Sequence, residues 1–150
     1  MNSLGKRGVA WRAFFEASEL LRARIDQELK MSCGIGLGEY NVLLVLHESD
    51  DHGIRMGDVA RALVFAPSRL TYMVGVMEKN GWLSRVACPQ DGRVAYLQKS
   101  EDGEALYAQA SGVHRAVVRE IFLDDLEDSD VDALVKIFTR TRNKLGASEK

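Results

Sequence analysis

The residues best equipped for chemistry in this chain fall in two short stretches. Ser68, Arg69, Thr71 and Tyr72 follow Pro67 closely, and Asp91-Gly92-Arg93 occupies a polar loop further on. The first group combines two small hydroxyls, a guanidinium and a phenol, which suit phosphate oxygens and base edges. Arg69 matches guanine or a phosphate bidentately, with a solvated surface arginine as the competing assignment. Thr71 and Ser68 donate to phosphate or accept from a base, and Tyr72 adds an apolar ring suited to a thymine methyl. In the second group, a guanidinium on a thin loop fits a narrow minor groove, where negative potential is focused. Asp91 would repel nucleic acid unless it pairs with and orients Arg93, which is therefore its expected role. A plain aspartate-glycine turn is compatible with that assignment. Arg85, at the base of the same loop, suits a phosphate contact or a strand-face salt bridge equally.

Other chemistries find no support. His47, His52 and His114 are dispersed, without nucleophile–base spacing, paired carboxylates or a phosphate-cradling glycine loop nearby. Cys33 and Cys88 have neither disulfide-framework nor metal-ligand spacing. No enzyme, cofactor or metal is expected. Charged residues make up 28% of the chain and hydrophobic residues 46%, an ordinary soluble balance. No apolar run approaches the roughly 20 residues of a membrane helix. No apolar stretch follows Lys6 and Arg7, so a secretory leader is not expected, and the location is read as cytoplasmic. The net charge of −2 is unevenly spread: His52 to Leu97 holds 6 basic and 3 acidic residues, and the flanks are acidic.

Helices must position these groups. Trp11, Phe14, Phe15, Ser18, Leu21, Ile25 and Leu29 recur at three and four, predicting an amphipathic helix from about Val9 to Met31. The run Val42 to Leu46 is apolar all round and predicts a buried helix over Leu37 to Glu48, with a buried strand as the alternative. A loop at Asp50 to Gly53 and a short strand at Ile54-Arg55 come next. Met56 to Leu63 and Pro67 to Lys79 read as two helices joined by a turn at Val64-Phe65-Ala66, a helix-turn-helix. Asn80-Gly81 stops the second. Trp82 to Ala87 and Arg93 to Gln98 form a hairpin around Cys88 to Gly92. Ser100 caps a long helix to about Phe122, with Leu106, Ala110, Val113, Val117 and Ile121 as its stripe. After a solvated acidic linker, Asp124 to Asp128, Ser129 caps a last helix striped by Val131, Leu134, Phe138, Thr141 and Leu145. The terminal helices carry more apolar surface than the middle can cover, which predicts a homodimer over a monomeric bundle.

This order of elements resembles the MarR family of winged helix-turn-helix regulators. Pro67-Ser68-Arg69-Leu70-Thr71, Met77 to Leu83 and Asp91-Gly92-Arg93 carry the resemblance, with Gly57 to Leu63 and Leu37 to Leu43 upstream. It covers about Leu37 to Gln109 closely and the flanking helices by position. Three positions depart from the pattern: Ala66 where a serine cap is common, Tyr72 where arginine is common, and Val76 where a basic residue is common. The resemblance implies a mainly α (α+β) fold in one domain, residues 1–150. Within it, residues 37–99 form a DNA-binding lobe, and residues 9–31 and 100–146 form dimerisation helices. It implies a regulator, usually a repressor, that binds double-stranded promoter DNA as a homodimer through Ser68, Arg69, Thr71, Tyr72, Arg85, Asp91 and Arg93. A small aromatic or phenolic ligand is expected to release it, from a pocket lined by Trp11, Phe14, Phe15, Tyr40 and His114, with Arg12 or Arg24 meeting a carboxylate. Alternatives within the same fold are thiol sensing at Cys88 and a protein-interaction module without DNA.

Overall fold

The computed structural model describes residues 5–49, 51–63 and 65–146. Asp50, expected in a loop, Val64, expected in the inter-helix turn, and the extreme ends of the expected domain lie outside the described residues. The elements run α1 (Gly5–Cys33), α2 (Leu37–Glu48), β1 (Ile54–Arg55), α3 (Met56–Leu63), α4 (Pro67–Lys79), β2 (Leu83–Ala87), β3 (Ala95–Lys99) and α5 (Glu101–Val118). A wide π-helical turn (Arg119–Leu123) and α6 (Asp128–Lys144) follow. Among the described residues no single helix is long and apolar enough to cross a membrane.

The chain divides into two compact units, Met1–Val117 and Val118–Lys150. The first takes in α1 and nearly all of α5 as well as the residues between them. The physical reason lies in the joints that tie α5 to the lobe. Ser100 Oγ accepts the Gly103 N–H at 3.0 Å and donates to the Gly81 carbonyl at 2.6 Å, so one hydroxyl caps α5 and pins it to the end of α4. Gly103 is buried against the Trp82 carbonyl, where a Cβ would overlap the carbonyl oxygen. Further along, Tyr40 of α2 stacks on His114 and Tyr107 of α5, with ring centroids 4.6 and 6.1 Å apart.

In the first unit α2 is the central helix. Tyr40, Val42, Leu43, Val45 and Leu46 are buried round most of its circumference, which excludes the strand alternative. Leu29 of α1, Val59 of α3, Leu70, Val74 and Met77 of α4 and Leu97 of β3 complete the core. Only the C-terminal half of the α1 stripe joins it: Ile25 and Leu29 are buried, whereas Trp11 and Phe15 are exposed.

The sheet is antiparallel in the order β1-β3-β2, with Leu97 opposite both Ile54 and Arg85. At the end of α4 the Trp82 N–H bonds back to Met77 and the Gly81 N–H to Glu78. Gly81 takes φ +78°, the left-handed geometry the Asn80-Gly81 pair was expected to supply.

In the second unit Glu127 rather than Ser129 precedes the first turn of α6. The Asp130 carboxylate accepts the Glu127 N–H at 3.1 Å, so the reciprocal acidic pair takes the capping role assigned to the serine. Ile121, expected on the buried stripe of α5, lies in the π-helical turn and is exposed, as are Val131 and Val135 of α6.

Candidate nucleic-acid interface

Helix geometry sets what α4 can present. At about 100° per residue, the buried line Leu70, Val74 and Met77 leaves Ser68, Tyr72 and Lys79 pointing directly away from the core. Thr71 lies on one flank, and Arg69 and Val76 on the other. Tyr72 is 77% exposed. Thr71 donates its hydroxyl hydrogen to the Pro67 carbonyl at 2.9 Å, leaving its oxygen free to accept. Pro67 occupies the first turn, where its missing N–H costs nothing, and Ala66 before it supplies no side-chain cap. The first-turn amides of α4 therefore have no side-chain oxygen from Ala66, which leaves them open to an incoming anion.

Arg69 sits differently from its neighbours. Its guanidinium lies over the Phe65 ring, 4.4 Å from the centroid, and close to Gly38 of α2. In this structure it is turned toward α2, and it reaches a groove only by leaving Phe65. Arg85 is also engaged: its N–H donates to Glu78 Oε2 at 2.9 Å and its Nε stands 3.5 Å from Glu78 Oε1. Of the two roles open to Arg85, the salt bridge is the one seen, and it ties β2 to α4.

The wing tip is built around Asp91. Its Oδ1 accepts both the Arg93 N–H at 3.0 Å and the Arg93 Nε–H at 3.2 Å. The backbone N–H first, then the guanidinium, hold the Asp91 carboxyl below the usual carboxylate range. The carboxylate remains charged at neutral pH and fixes the root of the Arg93 side chain, which is itself 92% exposed. Below the tip, the Cys88 N–H bonds to Val94 and the Val94 N–H to Asp91, closing the loop.

The residues assigned to a ligand pocket do not gather around one space. Trp11 and Phe15 form an exposed cluster with Phe14 near the start of α1, at 5.7 to 6.0 Å between centroids. Tyr40 and His114 stack on each other between α2 and α5. Asp26, which accepts the first N–H of α2, is fifteen residues along α1 from Trp11, roughly 22 Å at 1.5 Å per residue. Arg12 follows Trp11 and shares that separation. The structure also extends the stack beyond the sequence-based set: Tyr107 lies 4.2 Å from His47, and His47 Nδ1 meets Glu104 at 3.1 Å. Glu104 also pairs with Lys99, and Lys99, more than His47, holds its carboxyl low. An alternation of aromatic and imidazole residues across two distant helices leaves no local signal in the sequence.

Neither thiol suits sensing. Cys88 is buried, not a surface group, and its S–H donates to Gln90 Oε1 at 3.1 Å. Burial pushes the Cys33 thiol up, away from the reactive thiolate. Among the described residues no cluster of His, Cys, Asp and Glu could hold a metal ion.

An exposed helix face, a turn that packs it and an arginine-tipped wing make up a winged helix-turn-helix. Residues 34–94 match the family model described as MarR family. Over that segment the chain is similar to the MarR family. The likeness extends past the matched segment. A MarR family transcriptional regulator from Streptomyces coelicolor, Sco3205, solved in complex with DNA, is 29% identical and superposes with a TM-score of 0.88. That match covers 91% of this chain and 86% of the other. A second MarR family regulator from that organism, AbsC, is 28% identical with a TM-score of 0.89, covering 96% and 97%. The transcriptional repressor MprA of Escherichia coli K12 is 22% identical over 128 residues, 84% of this chain and 72% of its own.

Proposed function

We propose that the protein is a homodimeric repressor that binds promoter DNA with paired α4 helices in successive major grooves and paired wings in the flanking minor grooves. The observation that carries this reading is Arg93, exposed at the hairpin tip and oriented by a carboxylate that remains ionised. An exposed arginine on a thin loop suits minor-groove insertion, and a paired aspartate avoids repelling phosphate. Ser68, Thr71 and Tyr72 supply the base-edge and phosphate contacts of α4, and Arg69 adds one when it leaves Phe65. With few cations on that face, affinity rests more on the wing and on the first-turn amides.

Dimerisation is supported in each compact unit separately. In the first, Val9, Trp11 and Phe15 of α1 are exposed; in the second, Ile121, Val131, Val135 and Ile137 are. Apolar patches of this kind mark an interface with another chain. A two-fold dimer places equivalent helices about one turn of duplex apart, roughly 34 Å. Release by a small-molecule effector follows from the family resemblance and is part of the proposal.

A mobility-shift assay tests it, with duplexes from the DNA upstream of the protein's own coding sequence at low salt. Retardation that competes poorly with unrelated duplex, and that a phenolic ligand relieves, is the expected result. A chain that retards no duplex even at low salt, or one that binds all duplexes equally, contradicts it.

A further inference from the structure

We infer that Glu78 is a positioning residue of the DNA interface: with Gly75 it seats the Arg85 guanidinium on the flank of α4, where a strand residue supplies the phosphate-binding cation that the helix itself lacks. This rests on the DNA-binding reading above and adds a contact to it.

Around α4, at about 100° per residue, Gly75 falls beside Ser68 and between Thr71 and Tyr72, on the side away from the buried Leu70. On that outward side α4 carries no cation before Lys79, because Arg69 is turned onto Phe65 and both Tyr72 and Val76 are uncharged. Arg85 comes to it from β2. It stands opposite the buried Leu97, so its side chain leaves the sheet on the inner face, toward α4. The guanidinium then spans one turn of the helix. Its Nε stands 3.5 Å from Glu78 Oε1, and a terminal nitrogen reaches Gly75, where a Cβ would be 3.6 Å away. The second Glu78 oxygen accepts the Arg85 backbone N–H at 2.9 Å, so one carboxylate fixes both the backbone and the side chain of the same residue. A side chain much longer than alanine at position 75 would take the place of the guanidinium.

A simple tie between helix and strand would use up the cation, and this one does not. Among the described residues the terminal nitrogens of Arg85 make no hydrogen bond, and the side chain is 37% exposed. The rigid fork of arginine lets Nε face a carboxylate while the outer nitrogens face a phosphate oxygen. The location gives them one to face. A single sugar–phosphate strand separates a major groove from the adjacent minor groove. With α4 in the first and the wing in the second, that strand crosses the α4–β2 junction, where Arg85 lies. Glu78 alone would repel it. Paired, Glu78 keeps the outer nitrogens turned toward Gly75 and lowers the cost of ordering a long side chain when DNA arrives.

The experiment measures the affinity of the full chain for its upstream duplex and for an unrelated duplex, by fluorescence anisotropy across a salt series, with a thermal melt for every variant. Arg85→Gln should weaken both duplexes by a common factor of about tenfold, and lower the slope of log affinity against log salt by about 0.9 per bound copy. Arg85→Lys should keep the slope near wild type while losing part of the affinity, because an ammonium keeps the charge and lacks the fork. Glu78→Gln and Glu78→Ala both remove the negative charge, and only the first keeps an acceptor for Arg85. Glu78→Ala should therefore bind about fivefold more weakly than Glu78→Gln, a difference that disappears once Arg85 is replaced by glutamine. Should the melt show Arg85→Gln unfolded, the comparison of the two Glu78 variants decides alone. An unchanged slope in a folded Arg85→Gln that still binds duplex overturns this inference and leaves the DNA reading standing. Equal affinity of the two Glu78 variants, or a difference that persists without Arg85, does the same. If the wild type binds no duplex, the DNA reading and this inference fall together.

Discussion

Removing the Arg93 side chain separates recognition from stability more cleanly than any other change. Among the described residues its side chain pairs with Asp91 alone, at 3.2 Å through Nε, and it is 92% exposed. Exposed pairs of this kind contribute between nothing and about 1 kcal/mol. Arg93→Ala should therefore leave thermal stability within roughly 0.5 kcal/mol of wild type. On DNA the balance changes. A guanidinium in a groove is worth about 1–3 kcal/mol per half-site, so a dimer with two wings loses about 2–6 kcal/mol. If each wing also neutralises one phosphate, the slope of log affinity against log salt falls by about 0.9 per wing. Asp91→Ala provides the internal control. It keeps the cation and removes the carboxylate that fixes it, so affinity should drop less than in Arg93→Ala while the salt slope stays near wild type. Fluorescence anisotropy with a labelled operator across a salt series measures affinity and slope, and a thermal melt measures stability. Wild-type affinity and slope for Arg93→Ala would refute the wing assignment; a large loss of stability would show that Arg93 is structural.

Three further outcomes follow from the first compact unit. Gly103→Ala places a methyl group into the Trp82 carbonyl oxygen and 3.0 Å from its carbon. An overpacking cost of about 3 kcal/mol against backbone exceeds the roughly 1 kcal/mol alanine gains in a helix. A calorimetric melt should therefore show a loss of about 2 kcal/mol, and an unchanged melt contradicts the close approach. His114 is held below its ordinary pKa of 6.5 by burial. Between its folded pKa and 6.5 the unfolded chain binds more protons, so this contribution to stability is complete above pH 6.5 and declines as pH falls through that window. Denaturant melts across that range should show the decline, and His114→Phe, which retains a ring against Tyr40, should flatten it; equal slopes in both proteins would exclude the effect. Cys88, buried with its S–H on Gln90, should react with a thiol reagent far more slowly in the folded chain than in denaturant. Equal rates would reopen thiol sensing.

Much of the lobe was legible because its signals are local. The apolar run Val42 to Leu46, Pro67 at a helix start, and Asn80-Gly81 at a helix end each fix backbone conformation within a few residues, and α2, α3 and α4 take the expected bounds. The Asp91–Arg93 pairing is likewise a contact across two residues. What sequence reasoning missed depends on contacts made across the fold. Phe65 draws Arg69 inward from the preceding turn, and Glu78 engages Arg85 across the α4–β2 junction. Gly103 ties α5 to the lobe through the carbonyl of a residue twenty-one positions earlier. The expected ligand-pocket residues divided between two clusters because spacing on one helix says nothing about which segment of a 29-residue helix meets its neighbour. At α6, Asp130 was the overlooked signal, since a carboxylate three residues past Glu127 can return to its N–H.

Sedimentation equilibrium of the protein with a single operator duplex tests most directly whether two copies read DNA together. The account predicts a complex with the mass of two chains and one duplex, formed by a protein that is already dimeric in the absence of DNA. A free monomer that adds to the duplex one chain at a time without cooperativity, or shows no affinity for it at low salt, would contradict it.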